Sequence, residues 1–149
     1  MTRAALAALL SAALVAAGCG GSSRLSRAEL AQRAGNICTT QARTIAQIPR
    51  GPRTPENAAG YAGAVLSVVE RGVKQFHALK PPRDLEPAYR RFLGELDHNA
   101  DILRMLRAAA AARLRAQYER GLSDLHRSRV RIDALERRLG FTGCTGGGV

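Results

Sequence analysis

A cysteine at position 19 is the first residue of this chain whose surroundings indicate a definite chemistry. It follows a largely apolar run over 4–17, and a Gly-Ser stretch over 20–23 comes after it. The run is too short for a helix that crosses a bilayer, which needs about 20 apolar residues. With Arg3 before it, the run is typical of a secretory leader. We therefore predict that the leader is removed and that the Cys19 thiol is acylated with fatty chains such as palmitate, which anchors the protein to a membrane.

Plain secretion, with cleavage after Ala17 and no lipid, is the alternative. The cysteine count favours lipidation, because three cysteines in an exported chain leave one thiol over unless Cys19 is used elsewhere. Cys38 and Cys144 then remain, and thiols outside the cytoplasmic membrane tend to pair. We predict a disulfide between them. It closes a loop of roughly 100 residues, worth about 4.7 kcal/mol in the chain-entropy treatment.

Glu95 and His98 have the Glu-x-x-His spacing with which di-iron bundles place two ligands on one helix face. Such a site needs a second motif of this kind and two further inward carboxylates. Because neither His77 nor His126 has a glutamate at the matching offset, we predict a solvent-facing helix surface here, with no metal and no cofactor. The chain also lacks a Cys-x-x-Cys-His haem motif and a nucleophile elbow. The sequence therefore predicts a protein that is not an enzyme.

Arginine gives the chain its charge, since 23 Lys and Arg residues face 12 Asp and Glu residues, a formal net charge of +11 at pH 7. Basic surfaces attract polyanions without sequence specificity. In an exported protein the partners would be anionic lipid head groups, anionic envelope polymers or extracellular DNA, but not genomic DNA. The candidate contacts lie on the last predicted helix: Arg120, Arg127, Arg131 and Arg138. The alternative is a solvated face whose methylene stems cover apolar surface.

Four amphipathic helices have to position these residues, because apolar side chains recur at three- and four-residue steps in four stretches. Ser26 and Glu29 are predicted to form a capping box at the start of the first helix. Thr54, followed by a proline, caps the second helix, and Asp84 is expected to cap the third. Gly140 ends the fourth helix. The fourth stripe consists of seven apolar residues: Leu114, Tyr118, Leu122, Leu125, Ile132, Leu135 and Leu139.

The third and fourth stripes keep the same phase across an alanine run over 108–112, so one long helix or two shorter ones can carry them. A fused helix of about 55 residues would be some 80 Å long and would leave half its apolar stripe uncovered in a monomer. That alternative implies a dimer or a domain swap. A turn near 111–115 gives helices that can bury one another. We predict an all-α fold, an up-down-up-down four-helix bundle, in which Asn99 is a buried polar residue that fixes the register.

Four features together suggest a family: the leader that ends at Cys19, the early helical Cys38, the Leu-Lys-Pro-Pro-Arg-Asp-Leu turn over 79–85, and the closing Leu-Gly-Phe over 139–141 with Cys144. In these features the chain resembles small helical lipoproteins of high-GC Gram-positive bacteria. The resemblance implies a membrane-anchored extracytoplasmic domain and supplies no active residues.

The predicted organisation has four parts: a signal peptide over 1–18, the lipidated cysteine and a flexible tether over 19–25, the bundle over 26–144, and a disordered Gly-rich tail over 145–149. We expect a non-enzymatic interaction or envelope-support module on the outer face of the cell membrane. The alternative function is a binding module for anionic envelope polymer or lipid, which would use the arginine-rich face.

Overall fold

Four α-helices in a row make up this chain in a computed structural model that describes residues 24–51 and 54–144. The elements are α1 (Arg27–Ala46), α2 (Pro55–Ala78), a 3-10 turn (Arg83–Leu85), α3 (Glu86–Ala111) and α4 (Arg115–Leu139). Each helix packs against the next one along the chain, and the described ranges contain no strand. The predicted all-α four-helix bundle is confirmed. The predictions for the leader, Cys19 and the tail over 145–149 lie outside the described residues.

Two of the predicted helix starts are confirmed in atomic detail. The Ser26 hydroxyl accepts a hydrogen bond from the Glu29 amide at 3.2 Å, and the Glu29 carboxylate accepts one from the Ser26 amide at 2.8 Å. The Thr54 hydroxyl accepts the amide of Asn57 at 3.3 Å. Each cap supplies a partner for a backbone N–H group that the first turn of a helix leaves unpaired.

The predicted cap at Asp84 is wrong, because α3 begins two residues later and no side chain caps it. Asp84 instead forms an ion pair with Arg27 in the first turn of α1. Next to this pair, Arg24 donates to the Pro81 carbonyl at 2.9 Å and pairs with Glu86 at 2.9 Å. These contacts fix the start of α1 to the α2–α3 turn. We call this the proximal end of the bundle.

The other end, which we call the distal end, holds the α1–α2 and α3–α4 connections. α3 ends at Ala111 and α4 begins at Arg115, so the predicted turn is confirmed and the fused helix is excluded. Arg113 has a φ of 58°, in the left-handed region that non-glycine residues seldom adopt. The Leu114 amide donates back to the Ala109 carbonyl at 2.8 Å, which closes the end of α3.

The core divides into an aromatic part near the proximal end and an aliphatic part towards the distal end. In the aromatic part, the ring of Phe92 lies 5.1 Å from Phe76 and 5.5 Å from Phe141, both edge to face. The Tyr89 hydroxyl donates to the Phe76 carbonyl at 2.7 Å, and burial raises the pKa of that tyrosine. α4 ends at Gly140, as predicted, with a φ of 77°. The next residue, Phe141, then folds back into the core with none of its surface exposed.

The predicted disulfide between Cys38 and Cys144 is present, with the two Cα atoms 5.1 Å apart. It joins the middle of α1 to the segment that follows α4. α1 packs mainly on α2 and makes few contacts with α4. The disulfide is therefore a covalent connection across the side of the bundle where noncovalent packing is sparsest.

Within residues 24–51 and 54–144, none of the helices has both the length and the hydropathy that a bilayer crossing requires.

Candidate functional site

An open cleft of about 1010 Å³ lies at the distal end of the bundle. Its walls come from the α1–α2 connection, the first turns of α2, the end of α3 and the first half of α4. Much of its lining is apolar or aromatic: Tyr61, Ala109, Ala110, Leu114, Tyr118, Leu122 and Leu125. An apolar concavity of this volume is at the upper end of the range typical of small-molecule sites.

Leu114 and Leu122 belong to the predicted fourth apolar stripe, but the structure does not bury them. They are 45% and 46% exposed, and both line the cleft. The spacing of apolar residues defines the apolar face of a helix but does not establish that another helix covers it. Here α1 makes few contacts with α4. The first half of the fourth stripe therefore faces the cleft and is not covered by α1.

The charged side chains that line the cleft are all basic. Four arginines, Arg50, Arg113, Arg115 and Arg129, contribute to the lining together with His126, and the described lining includes no aspartate or glutamate. Arg115 is paired with Glu119 at 2.7 Å and Arg129 with Asp133 at 2.9 Å, and both carboxylates lie outside the lining. An apolar surface bordered by guanidinium groups is chemically complementary to a molecule with an apolar body and an anionic head.

The arginines that the sequence predicted as polyanion contacts, Arg120, Arg127, Arg131 and Arg138, are all exposed but do not line the cleft. Arg127 pairs with Asp124 on the same helix. Arg131 donates to the Glu95 carboxylate at 2.9 Å and so connects α4 to α3.

The structure therefore places Glu95 in an interhelical ion pair with Arg131 and leaves His98 exposed. The cleft arginines were missed because they were sought on one helix face, whereas Arg50 and Arg113 lie in connections between helices. The predicted up-down topology held the missing signal, since it brings the first and third connections to the same end of the bundle.

A second, smaller cavity of about 110 Å³ lies deeper in the bundle, and all four helices contribute to its walls. It shares Leu125 and Arg129 with the cleft, so the two spaces adjoin. Asn99, predicted to be a buried polar residue, is half-buried and donates to the buried Ser128 hydroxyl at 3.4 Å. Its hydrogen bond links α3 to α4 beside the cavity.

Glu136 is the most unusual group of this inner cavity, because its side chain is only 2% exposed. Its Oε2 atom has no hydrogen-bond partner among the described residues, and the nearest cation, Arg129, is 3.6 Å away. Arg129 is shared, since it also lies 2.9 Å from Asp133. Burial raises the pKa of the Glu136 carboxyl, and the coulombic attraction of Arg129 opposes that rise.

The Glu136 carboxylate and the sulfurs of Cys38 and Cys144 all lie within 4.8 Å of one another. Three such groups can bind a metal ion when the thiols are ionised. In this structure the two sulfurs are bonded to each other, which removes both thiolates from that role. Glu136 carries a usable signal in the sequence, because it falls four residues after Ile132, on the apolar side of α4.

No protein-family model matches this chain, and neither the curated proteins nor the solved structures include a significant match. Its function is therefore inferred from the cleft, the inner cavity and the charges around them.

Proposed function

We propose that this protein is a membrane-anchored, non-enzymatic binding module that holds an amphipathic anion of the lipid class in the distal cleft. The observation that carries the proposal is the composition of the cleft lining, which has four arginines, no described carboxylate and an apolar wall. An acyl chain would lie against Leu114, Leu122 and Tyr61. The anionic head would pair with the guanidinium groups, which match phosphate and carboxylate geometry well.

The magnitudes are consistent with reversible binding. Each buried methylene contributes about 0.8 kcal/mol, so roughly ten of them supply about 8 kcal/mol before the cost of association is subtracted. Micromolar affinity corresponds to a net binding free energy of about 8 kcal/mol. The acyl chain of the ligand alone does not reach it, because the cost of association has to be subtracted. Pairing of the head group with arginine supplies the remainder and selects anionic ligands over neutral ones.

The apolar wall is the reason to favour a lipid over an envelope polymer. A hydrophilic polyanion gains nothing from Leu114 and Leu122, and would use an open basic surface such as the one predicted around Arg120 and Arg138. Arg127 and Arg131 on that face have carboxylate partners, as Arg115 and Arg129 of the cleft do, so it is the apolar wall that separates the two surfaces. Polyanion binding there remains the second candidate function.

The membrane anchor is the second component of the proposal, and the position of Cys19 after an apolar leader supports it. The described chain starts at Arg24, which is fixed at the proximal end by its contacts with Pro81 and Glu86. The cleft begins at the opposite end, which is about 37 Å away for a helix as long as α4, and its lining extends along α4 as far as Arg129. An anchored bundle that stands on its proximal end would thus present the cleft away from its own membrane, to a lipid that has left a bilayer.

Replacing Cys19 with serine tests the anchor. We expect the variant to appear in the medium or to remain as an unprocessed precursor, because serine has no thiol to acylate. Cell fractionation and mass spectrometry of the N-terminal peptide would measure this, with Ser22→Ala as a control that should stay membrane-bound. A Cys19→Ser protein that is processed and still in the membrane fraction would contradict the anchor.

Variants that remove positive charge from the cleft test the ligand. The double variant Arg50→Gln with Arg115→Gln should bind dodecyl phosphate at least about tenfold more weakly than the wild type, since even one hydrogen bond to a charged group contributes roughly 1.5 kcal/mol. Titration calorimetry below the critical micelle concentration would measure it. The matched control, Arg120→Gln with Arg138→Gln, removes the same charge outside the cleft and should leave the affinity unchanged.

Two results would count against a cleft that binds lipid anions. Equal losses in both double variants would indicate a general effect of net charge, and with it the polyanion function. If the wild type bound dodecyl phosphate and a neutral dodecyl detergent with equal affinity, the arginines would not contribute to ligand binding.

A further inference from the structure

The buried carboxyl beside the disulfide has no role in the proposed ligand binding. We propose that Glu136 is the internal acid for thiol exchange at the Cys38–Cys144 bond. It protonates the sulfur of Cys144 when an external thiol attacks Cys38, and it takes the proton back when the bond re-forms. This inference concerns a different chemistry from that of the distal cleft and does not depend on it.

The two sulfurs differ in access, which sets the direction of attack. Cys144 is 2% exposed, and its sulfur lies 3.6 Å from the carbonyl oxygen of Ala34. Cys38 is half-buried, and both cysteines line the inner cavity, so the difference lies in their exposure to solvent. An external thiolate therefore reaches Cys38, and Cys144 is the leaving group. A thiolate released in a poorly solvated position is disfavoured unless it gains a proton or a cation.

Glu136 is the acid placed to supply that proton, because its carboxylate is within 4.8 Å of both sulfurs. On α4 it is faced by Arg129, Asp133 and Arg137. From α1 and the segment after α4, the two cysteine sulfurs face it, and they can titrate only once the bond between them is reduced. The parts of α2 and α3 that line the inner cavity contribute no described acidic or basic side chain.

Burial favours a protonated form of Glu136, and the attraction of Arg129 for its carboxylate opposes this only in part. One guanidinium, Arg129, serves two carboxylates, since it is 2.9 Å from Asp133 and 3.6 Å from Glu136. Burial raises the pKa of Glu136, so its acid form persists to a higher pH than that of an exposed glutamate. An acid with a raised pKa in a closed site is suited to general acid catalysis.

The exchange is balanced with a small thiol as the reductant. Its thiolate forms a bond to the sulfur of Cys38, the Cys38–Cys144 bond breaks, and the electron pair goes to Cys144, which takes the proton of Glu136. A second thiolate then attacks the mixed disulfide, which releases the oxidised reagent and the thiolate of Cys38, and solvent protonates that group. In the reverse direction, the Glu136 carboxylate removes the proton of Cys144 before bond formation.

The test is the rate at which dithiothreitol reduces the native full-length protein, measured from acid to mildly alkaline pH and divided by the concentration of reagent thiolate. In the wild type this normalised rate should fall as pH rises through the pKa of Glu136, because the proton donor is lost. In Glu136→Gln this pH-dependent step should vanish, and the rate at the acid end should drop about a hundredfold, the lower end of the range of general acid catalysis. The matched control, Asp133→Asn, should keep the step.

The opposing outcomes are equally definite. A wild-type profile without a step, a Glu136→Gln profile that matches the wild type or lies above it, or an equal loss in Asp133→Asn would each overturn the proposal. Circular dichroism shows whether each variant has folded. If Glu136→Gln does not fold, Glu136→Asp takes its place, and it should retain the step with a smaller amplitude because its carboxyl reaches less far. A Glu136→Asp profile without a step would then overturn the proposal.

Discussion

Replacing Phe92 with alanine should lower the free energy of unfolding by about 4 kcal/mol, the range expected when a fully buried phenylalanine is truncated. None of the Phe92 side chain is exposed. Its ring contacts three others, at 5.1 Å from Phe76, 5.5 Å from Phe141 and 5.9 Å from Tyr89. The loss combines the transfer of the ring to water, the cavity left behind and the edge-to-face contacts. Urea unfolding followed by the helical circular dichroism signal would measure it.

Met105 provides the matched control, because it lies on the same helix and is 55% exposed. Met105→Ala should change the free energy of unfolding by no more than about 0.5 kcal/mol, since exposed substitutions away from special features have small effects. Similar losses at the two positions would show that the aromatic cluster is not the main source of stability at the proximal end.

The helices and their order were predictable because their determinants are local. The capping box at Ser26 and the Thr54 cap involve residues three positions apart, and the apolar stripes recur within single helices. The start of α3 was not predictable in the same way. Asp84 is drawn into an ion pair with Arg27, which lies 57 residues earlier in the chain, and a capping rule contains no information about such a partner.

The features of the candidate site were predictable only where they too depend on the sequence alone. Cysteine arithmetic was enough to pair Cys38 with Cys144, because few alternatives remained once Cys19 was assigned to the lipid. The cleft exists because α1 leaves part of the apolar face of α4 uncovered. The spacing of apolar residues along α4 is the same whether or not another helix packs against Leu122. Only the assembled bundle shows that difference, because a side chain is buried only where a second surface packs against its helix.

Removal of the disulfide, by Cys38→Ala together with Cys144→Ala, should lower the free energy of unfolding by about 4 kcal/mol. The two residues are 106 positions apart, and closing a loop of about 100 residues is worth roughly 4.7 kcal/mol through the unfolded chain. Urea unfolding of the oxidised wild type, the reduced wild type and the double variant would measure it. The reduced wild type should match the double variant, and dithiothreitol should leave the double variant unchanged.

The position of the disulfide predicts where this loss appears first. α1 has few contacts with α4, and beyond its middle it depends on its packing on α2; its first half is also held by the burial of Leu30 and Ala34 in the aromatic part of the core and by the exposed ion pairs of Arg24 and Arg27. Without the covalent connection, α1 should open separately from the rest, because exposed ion pairs contribute about 1 kcal/mol or less. Hydrogen exchange should then show amides of α1 losing protection ahead of those of α3, which packs against both α2 and α4. Uniform loss of protection across all four helices would mean that α1 is held by its packing on α2 and that the disulfide acts only through the unfolded chain.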